Sequence, residues 1–311
     1  MTNAAFSVFV IAETLHRKEG EEMTDKSKAV FYMMLSVASL SLMQFFINLS
    51  GEEGDVFLQV FSRNFLGVLL CIYFIRKEKV SYFGDLKSQP YLLARSFTGF
   101  MGLLFTFYAM QHAYLADASI VLRTGPFFTT LVSVIFLKEK LNKVQLPVLA
   151  VIFIGGWLAA DPHFDSSFLP LGSALLAALC QGICYPLLRY SREREHGMTV
   201  IMHFSVFCCI GCAPFLLDGV FLPNGLELLY LIFIAVTGAL GQIFLTYAYR
   251  LGPASEVAIY DQFSVVFALF LGVLFLDQIP EMQTVIGGTM IVGASVIAYW
   301  HSMRKERESK T

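Results

Sequence analysis

The sequence predicts an all-α membrane protein with ten transmembrane helices, built as two inverted five-helix repeats. Three observations predict it: a succession of long uncharged apolar runs, a one-sided distribution of basic residues, and a match of the chain to itself at an offset of 139 positions. Composition sets the frame. Of 311 residues, 56% are hydrophobic and 15% charged, with a mean hydropathy of +0.65. A soluble domain carries about 25% charge. The six cysteines all fall within apolar stretches, which suits small buried hydrophobes rather than a disulfide framework.

Taken in chain order, residues 1–28 read as a cytoplasmic tail. Their apolar piece, FSVFVIA, is too short to span a bilayer and has no basic segment before it, so it does not read as a signal peptide. Lys18-Glu19-Gly20-Glu21-Glu22 consists of residues with purine-rich codons, as a bacterial ribosome-binding site would be. Translation from Met23 is therefore expected, residues 1–22 being a mis-called extension; a disordered tail is the alternative.

A hydrocarbon core of about 30 Å needs roughly 20 mostly apolar residues per helix. Runs meeting that need fall near 29–49, 56–75, 91–111, 115–137 and 143–160, then 168–189, 199–217, 226–249, 254–276 and 282–301. Residues 29–160 form the first repeat, 168–301 the second, and 302–311 a cytoplasmic tail. The connections between spans are short, so no separate soluble domain is expected.

Basic residues test this reading independently. With the N-terminus inside, the inner segments hold Lys26 and Lys28, Arg76 to Lys87, Lys138 to Lys143, Arg189 to Arg194, Arg250, and Arg304 to Lys310. The outer loops SGEEGD, DPHFDSS and DQIPE hold no Lys or Arg. That asymmetry places both termini in the cytoplasm of a multi-pass protein of the cell (inner or plasma) membrane.

At the 139-residue offset, Tyr108-Ala109 falls on Tyr247-Ala248, Asp117 on Glu256, and Val134-Ile135-Phe136-Leu137 on Val273-Leu274-Phe275-Leu276. Each half has an odd number of spans, so the second enters the membrane from the opposite side. Inverted repeats of this kind are a transporter architecture, with the site near the midplane between the halves.

The block Tyr108-Ala109, Leu115-Ala116-Asp117-Ala118, Pro126 and Phe136-Leu137-Lys138-Glu139 resembles the signature of the EamA branch of the drug/metabolite transporter superfamily. Residues 247–280 are similar to that family's C-terminal repeat, and the resemblance covers about residues 29–301. Asp277-Gln278, where the family usually has Gly-Glu, and Asp261-Gln262 depart from its pattern. The resemblance implies a carrier of small metabolites with helices 1–4 and 6–9 around a central cavity. Helices 5 and 10 would lie at the periphery, where Gly287, Gly288 and Gly293 suit close packing and a homodimer contact.

Three basic residues lie inside spans: Arg63, Arg95 and Arg123. Each costs at least ~2.5–3.5 kcal/mol to insert, so each is expected to face a cavity or a partner. At 1.5 Å per residue, Arg123 and Asp261 both approach the midplane. Two functional readings stand beside a purely structural ion pair: they pair across the cavity, or they grip opposite ends of a zwitterion. Arg95 is close enough to the inner end to snorkel instead. Asn64 aligns with His203, and Tyr108 with Tyr247, and with Gln262 these complete the substrate-binding candidates; Gln44 and Gln181 add further amides. Asp117, Glu256 and Asp261 are candidate gate or coupling acids, although first-turn acids also suit a helix dipole. Pro126 and Pro186 should kink their spans, with Gly125-Pro126 a hinge.

These features point to a secondary transporter of a small zwitterionic or anionic metabolite. A membrane enzyme or a receptor without transport activity is the alternative. No catalytic residue, cofactor, metal site or nucleic-acid contact is expected. The chain has no phosphate-binding Gly-x-x-x-x-Gly-Lys loop and no HExxH.

Overall fold

The computed structural model describes residues 24–50, 55–113, 115–139, 144–160, 167–217, 225–276 and 282–310. Translation from Met23 and the Asp277-Gln278 departure lie outside them. Every regular element among the described residues is helical. The first part of the chain supplies α1 (Asp25–Ser50), α2 (Val56–Glu78), α3 (Gln89–His112), α4 (Leu115–Leu122), α5 (Gly125–Phe136) and α6 (Gln145–Ala160). The second supplies α7 (Phe168–Tyr190), α8 (Gly197–Leu217), α9 (Gly225–Leu251), α10 (Ala254–Tyr260), α11 (Ser264–Leu276) and α12 (Met282–Lys310). Among the described residues, seven helices are long and apolar enough to cross a membrane, and 120–136 and 145–159 are shorter apolar stretches.

Local chemistry explains several boundaries. Asp55 precedes α2 in an extended conformation, and its carboxylate accepts from the backbone N–H groups of Phe57 (2.7 Å) and Leu58 (3.3 Å). Such a cap is worth ~1 kcal/mol. The helix closes on Lys79, a left-handed residue whose N–H returns to the Ile75 carbonyl. Beyond its apolar part, α12 runs on to Lys310, so the expected C-terminal tail is largely helical.

The stretches 115–137 and 254–276, expected as continuous helices, are each broken. The first breaks at Arg123-Thr124, because Pro126 in the first turn of α5 has no N–H for a helix arriving from α4. The second breaks at Asp261–Phe263, a single 3-10 turn with no proline near it. Adding 139 to the bounds of α4 and α5 gives those of α10 and α11 to within a residue. Pro186, by contrast, lies inside α7, which passes through it unbroken.

Packing follows the same correspondence. The pairs α1–α9 and α3–α7 pack closely, and an offset of 139 turns one pair into the other. The pairs α2–α8 and α6–α12 each join an element to its own counterpart at that offset, and α5–α10 joins α5 to the counterpart of its neighbour α4. At the α6–α12 crossing a Cβ on Gly287 would collide with the backbone of Gly155 and Ala159. Gly287 is thus used to bring two helices of one chain together.

The centre sits where α2, α3, α7, α8 and α9 meet. Val60, Phe100, Phe107, Phe204 and Cys208 pack on one side of it; Leu188, Leu245, Ala248 and Tyr249 pack on another.

Candidate functional site

Arg63 and Arg95 are buried inside the bundle, and Arg123 is half-buried. Arg63 stands on α2, and a Cβ on Gly238 of α9 would press on its stem at 3.3 Å, so that glycine makes its room. Its Nη2 donates to Gln242 Oε1 at 3.2 Å. Gln242 is aimed by Thr246, whose hydroxyl takes the amide hydrogen at 3.3 Å and donates to the Gln242 carbonyl at 2.9 Å. A neutral amide is thus what holds Arg63.

Arg95, on α3, does not snorkel: it is 2% exposed, and its guanidinium lies over the Phe204 ring at 3.8 Å. Its Nε and Nη1 have no hydrogen-bond partner. A cation–π contact gives ~2 kcal/mol when desolvated, less than the ~3–5 kcal/mol that an uncompensated buried charge costs. Beside it, Ser96 Oγ and His203 Nδ1 are 2.8 Å apart, and the Cys184 thiol points to the Arg95 carbonyl at 3.7 Å. The Arg63 and Arg95 charges repel one another across this space.

Arg123 and Asp261 occupy the two helix breaks. The salt bridge expected between them is not formed: among the described residues no carboxylate lies within ion-pair distance of Arg123, although the two charges attract at longer range. Arg123 Nη1 instead donates to Gln262 Oε1 at 3.4 Å. These two residues are 139 positions apart, so each touches its own counterpart. Gly156 on α6 leaves space for the arginine, since a Cβ there would lie 2.9 Å from its Cδ.

Tyr185 of α7 and Tyr249 of α9 stack at 4.4 Å, a pair that nothing in the sequence marked. Tyr249 is wholly buried and its hydroxyl has no partner. Tyr185 lies within electrostatic range of Asp261, Arg63 and Arg95. Gln242, Phe204 and Ser96 were also missed. Of these, only Gln242, a lone amide in an apolar span, carried a readable signal.

Other predicted residues fall elsewhere. Asn64 is buried, but its amide bonds the Val60 carbonyl of its own helix at 2.8 Å. Tyr108 is near the end of α3, stacked on His112 at 4.3 Å, and Tyr247 is near the end of α9 against Tyr32. Gln44 is exposed. Gln181 turns its amide towards Gly125, at the α4–α5 break. Asp117 lies in α4, and its side chain is outside the description.

Polar cross-links gather at one end of the bundle. Lys26 Nζ meets the Glu256 carboxylate at 3.1 Å and donates to Ser302 Oγ at 3.0 Å, tying α1, α10 and α12. Arg250 donates to Ser191 Oγ and to the carbonyls of Ser191, Arg192 and Glu195. Beyond α5, Lys138 takes a left-handed conformation that turns the chain. Glu139 then accepts from Ala254 N (3.0 Å), Ser255 N (3.3 Å) and Ser255 Oγ (2.8 Å), capping α10 from the other half. Gln145 donates to the same Ser255 hydroxyl at 3.3 Å.

The EamA-like transporter family matches the chain twice, over residues 27–160 and 169–300. Among curated proteins, the pseudopaline exporter CntI of Pseudomonas aeruginosa is 31% identical over 239 residues, which is 76% of this chain and 84% of that protein. Solute carrier family 35 member G1 of Homo sapiens is 27% identical, covering 89% of this chain and 80% of its own. One crystal structure superposes with a TM-score of 0.74 at 19% identity, covering 90% of this chain and 99% of the other, and so shares the fold.

Proposed function

Because this chain belongs to the EamA-like transporter family, we propose that it is an alternating-access secondary carrier of a small zwitterionic or anionic metabolite. In this reading the ten spans form two inverted five-span halves, 29–160 and 168–301, with the tails 1–28 and 302–311 in the cytoplasm. The broken helices α4–α5 and α10–α11 each count as one span. The observation that carries the proposal is the Arg123–Gln262 contact, where residues 139 apart meet at matching helix breaks. Such a contact supports a boundary between two related halves that runs between the helix breaks, and inverted-repeat carriers hold their substrates between their halves. Half-helix ends at such breaks offer partial charges to a ligand.

The binding region comprises Arg63, Arg95 and Arg123 with Asp261, Gln262 and His203. Asn64, Tyr108 and Tyr247 are more remote members of the set. The end cross-linked by Lys26, Glu139, Arg250 and Glu256 is the cytoplasmic gate, closed here, with Asp117 in the outer one. The partners are the lipid bilayer and, through the outer faces of α6 and α12, a second copy of the chain. Both tryptophans, Trp157 and Trp300, are exposed on those two helices.

Reconstitution in liposomes tests the function directly. Uptake or counterflow of a broad panel of metabolites should reveal at least one substrate, with Arg123→Ala as the control. If Arg63→Ala, Arg123→Ala and Asp261→Ala proteins all transport like the wild type, the site is elsewhere; if no metabolite moves, the chain is not a carrier of this class.

A further inference from the structure

The four charged side chains at the centre are not balanced. Asp261 and Arg123 are opposite in sign and attract one another without forming a salt bridge. Arg63 is held by an amide, and Arg95 by an aromatic face. No ion pair to either is present among the described residues. Two buried guanidinium groups therefore repel each other with no carboxylate in ion-pair reach among the described residues, and two of the Arg95 nitrogens have hydrogens left to give.

We propose that the transported species is a dianion, a dicarboxylate or a phosphate monoester, held by Arg63 and Arg95. The proposal rests on the carrier reading and selects among the charge classes it allows. A zwitterion would bring a second cation towards Asp261, whose field Arg123 already occupies, and would leave one guanidinium uncompensated. A monoanion would also leave one. A dianion neutralises both, and each guanidinium can present its planar fork to carboxylate or phosphate oxygens.

The test uses the full chain in liposomes with labelled succinate and glycerol 3-phosphate as the two dianion arms. Serine is the zwitterion arm and putrescine the cation arm. Uptake of either dianion is expected, with serine neither carried nor competing. Arg63→Gln and Arg95→Gln should each lower that uptake about tenfold or more, the loss expected for a charge-assisted hydrogen bond, and Arg95→Lys should recover part of it. The wild-type panel needs no variant to fold. For the variants, a monodisperse elution profile and an unchanged melting temperature separate lost binding from lost structure. If serine, putrescine or another panel metabolite is transported and neither dianion is, this inference fails while the carrier reading stands. If nothing in the broad panel is transported, both fall. Dianion uptake left intact in both Gln variants would also overturn it, because the charge would then be met elsewhere.

Discussion

Arg63 and Gln242 form the contact at the centre whose replacement has the clearest sign. Replacing the amide by Leu leaves a buried guanidinium without its acceptor and should cost ~1–3 kcal/mol, seen as a lower melting temperature in detergent. Replacing it by Glu supplies the missing negative charge. Gln242→Glu should therefore melt no lower than the wild type, yet transport poorly, because its carboxylate takes the place meant for substrate. A variant that is both stable and fully active would show that Arg63 takes no part in transport. Gly156 offers a second measurement: a valine there would push against the Arg123 stem, and Gly156→Val should lose activity more than Leu149→Val, which only trims a buried side chain. The sequence marked these arginines because charge inside an apolar span is costly. It gave no sign of the ring that meets Arg95, since Phe204, like Tyr185 and Tyr249, looks like any other aromatic in a membrane helix.

The ends of helices show what one carboxylate can do between the halves. Glu139 accepts two backbone N–H groups and one hydroxyl at the start of α10. Its replacement by Ala should remove ~1–2 kcal/mol of capping and dipole interaction. On the carrier reading, that loss falls on the proposed cytoplasmic gate rather than on the fold as a whole. A cysteine placed at Ser255 should then react faster with a membrane-impermeant maleimide in inside-out vesicles when Glu139 is Ala; equal rates would mean that the cap does not hold the gate. Span positions were readable because a bilayer demands about 20 apolar residues, and the α4–α5 break was foreshadowed by Gly125-Pro126. The break at Asp261–Phe263 has no such residue, and only its counterpart in the first half pointed to it. The Glu139 contact was illegible for another reason: it joins residues 115 positions apart, and no local pattern encodes that distance.

Seen whole, the molecule concentrates its polar cross-links at one end, while the arginines of the centre are held mainly by neutral groups. Fusing a fluorescent protein that folds only in the cytoplasm to either terminus should give a bright signal at both ends if the number of spans is even. One dark terminus would break the ten-span reading. The all-helical membrane character was legible because long uncharged apolar runs recur along the chain.

The Arg123–Gln262 contact bears on how such a molecule can change over generations. If the two halves descend from one ancestral segment that associated with its own copy, this position faced itself across the junction. Two arginines meeting there would repel, whereas two glutamines could share their amide hydrogens. The present unlike pair could arise only after fusion let the copies vary separately. Residues on that seam are therefore expected to mutate in concert with their twins, while those far from it drift alone.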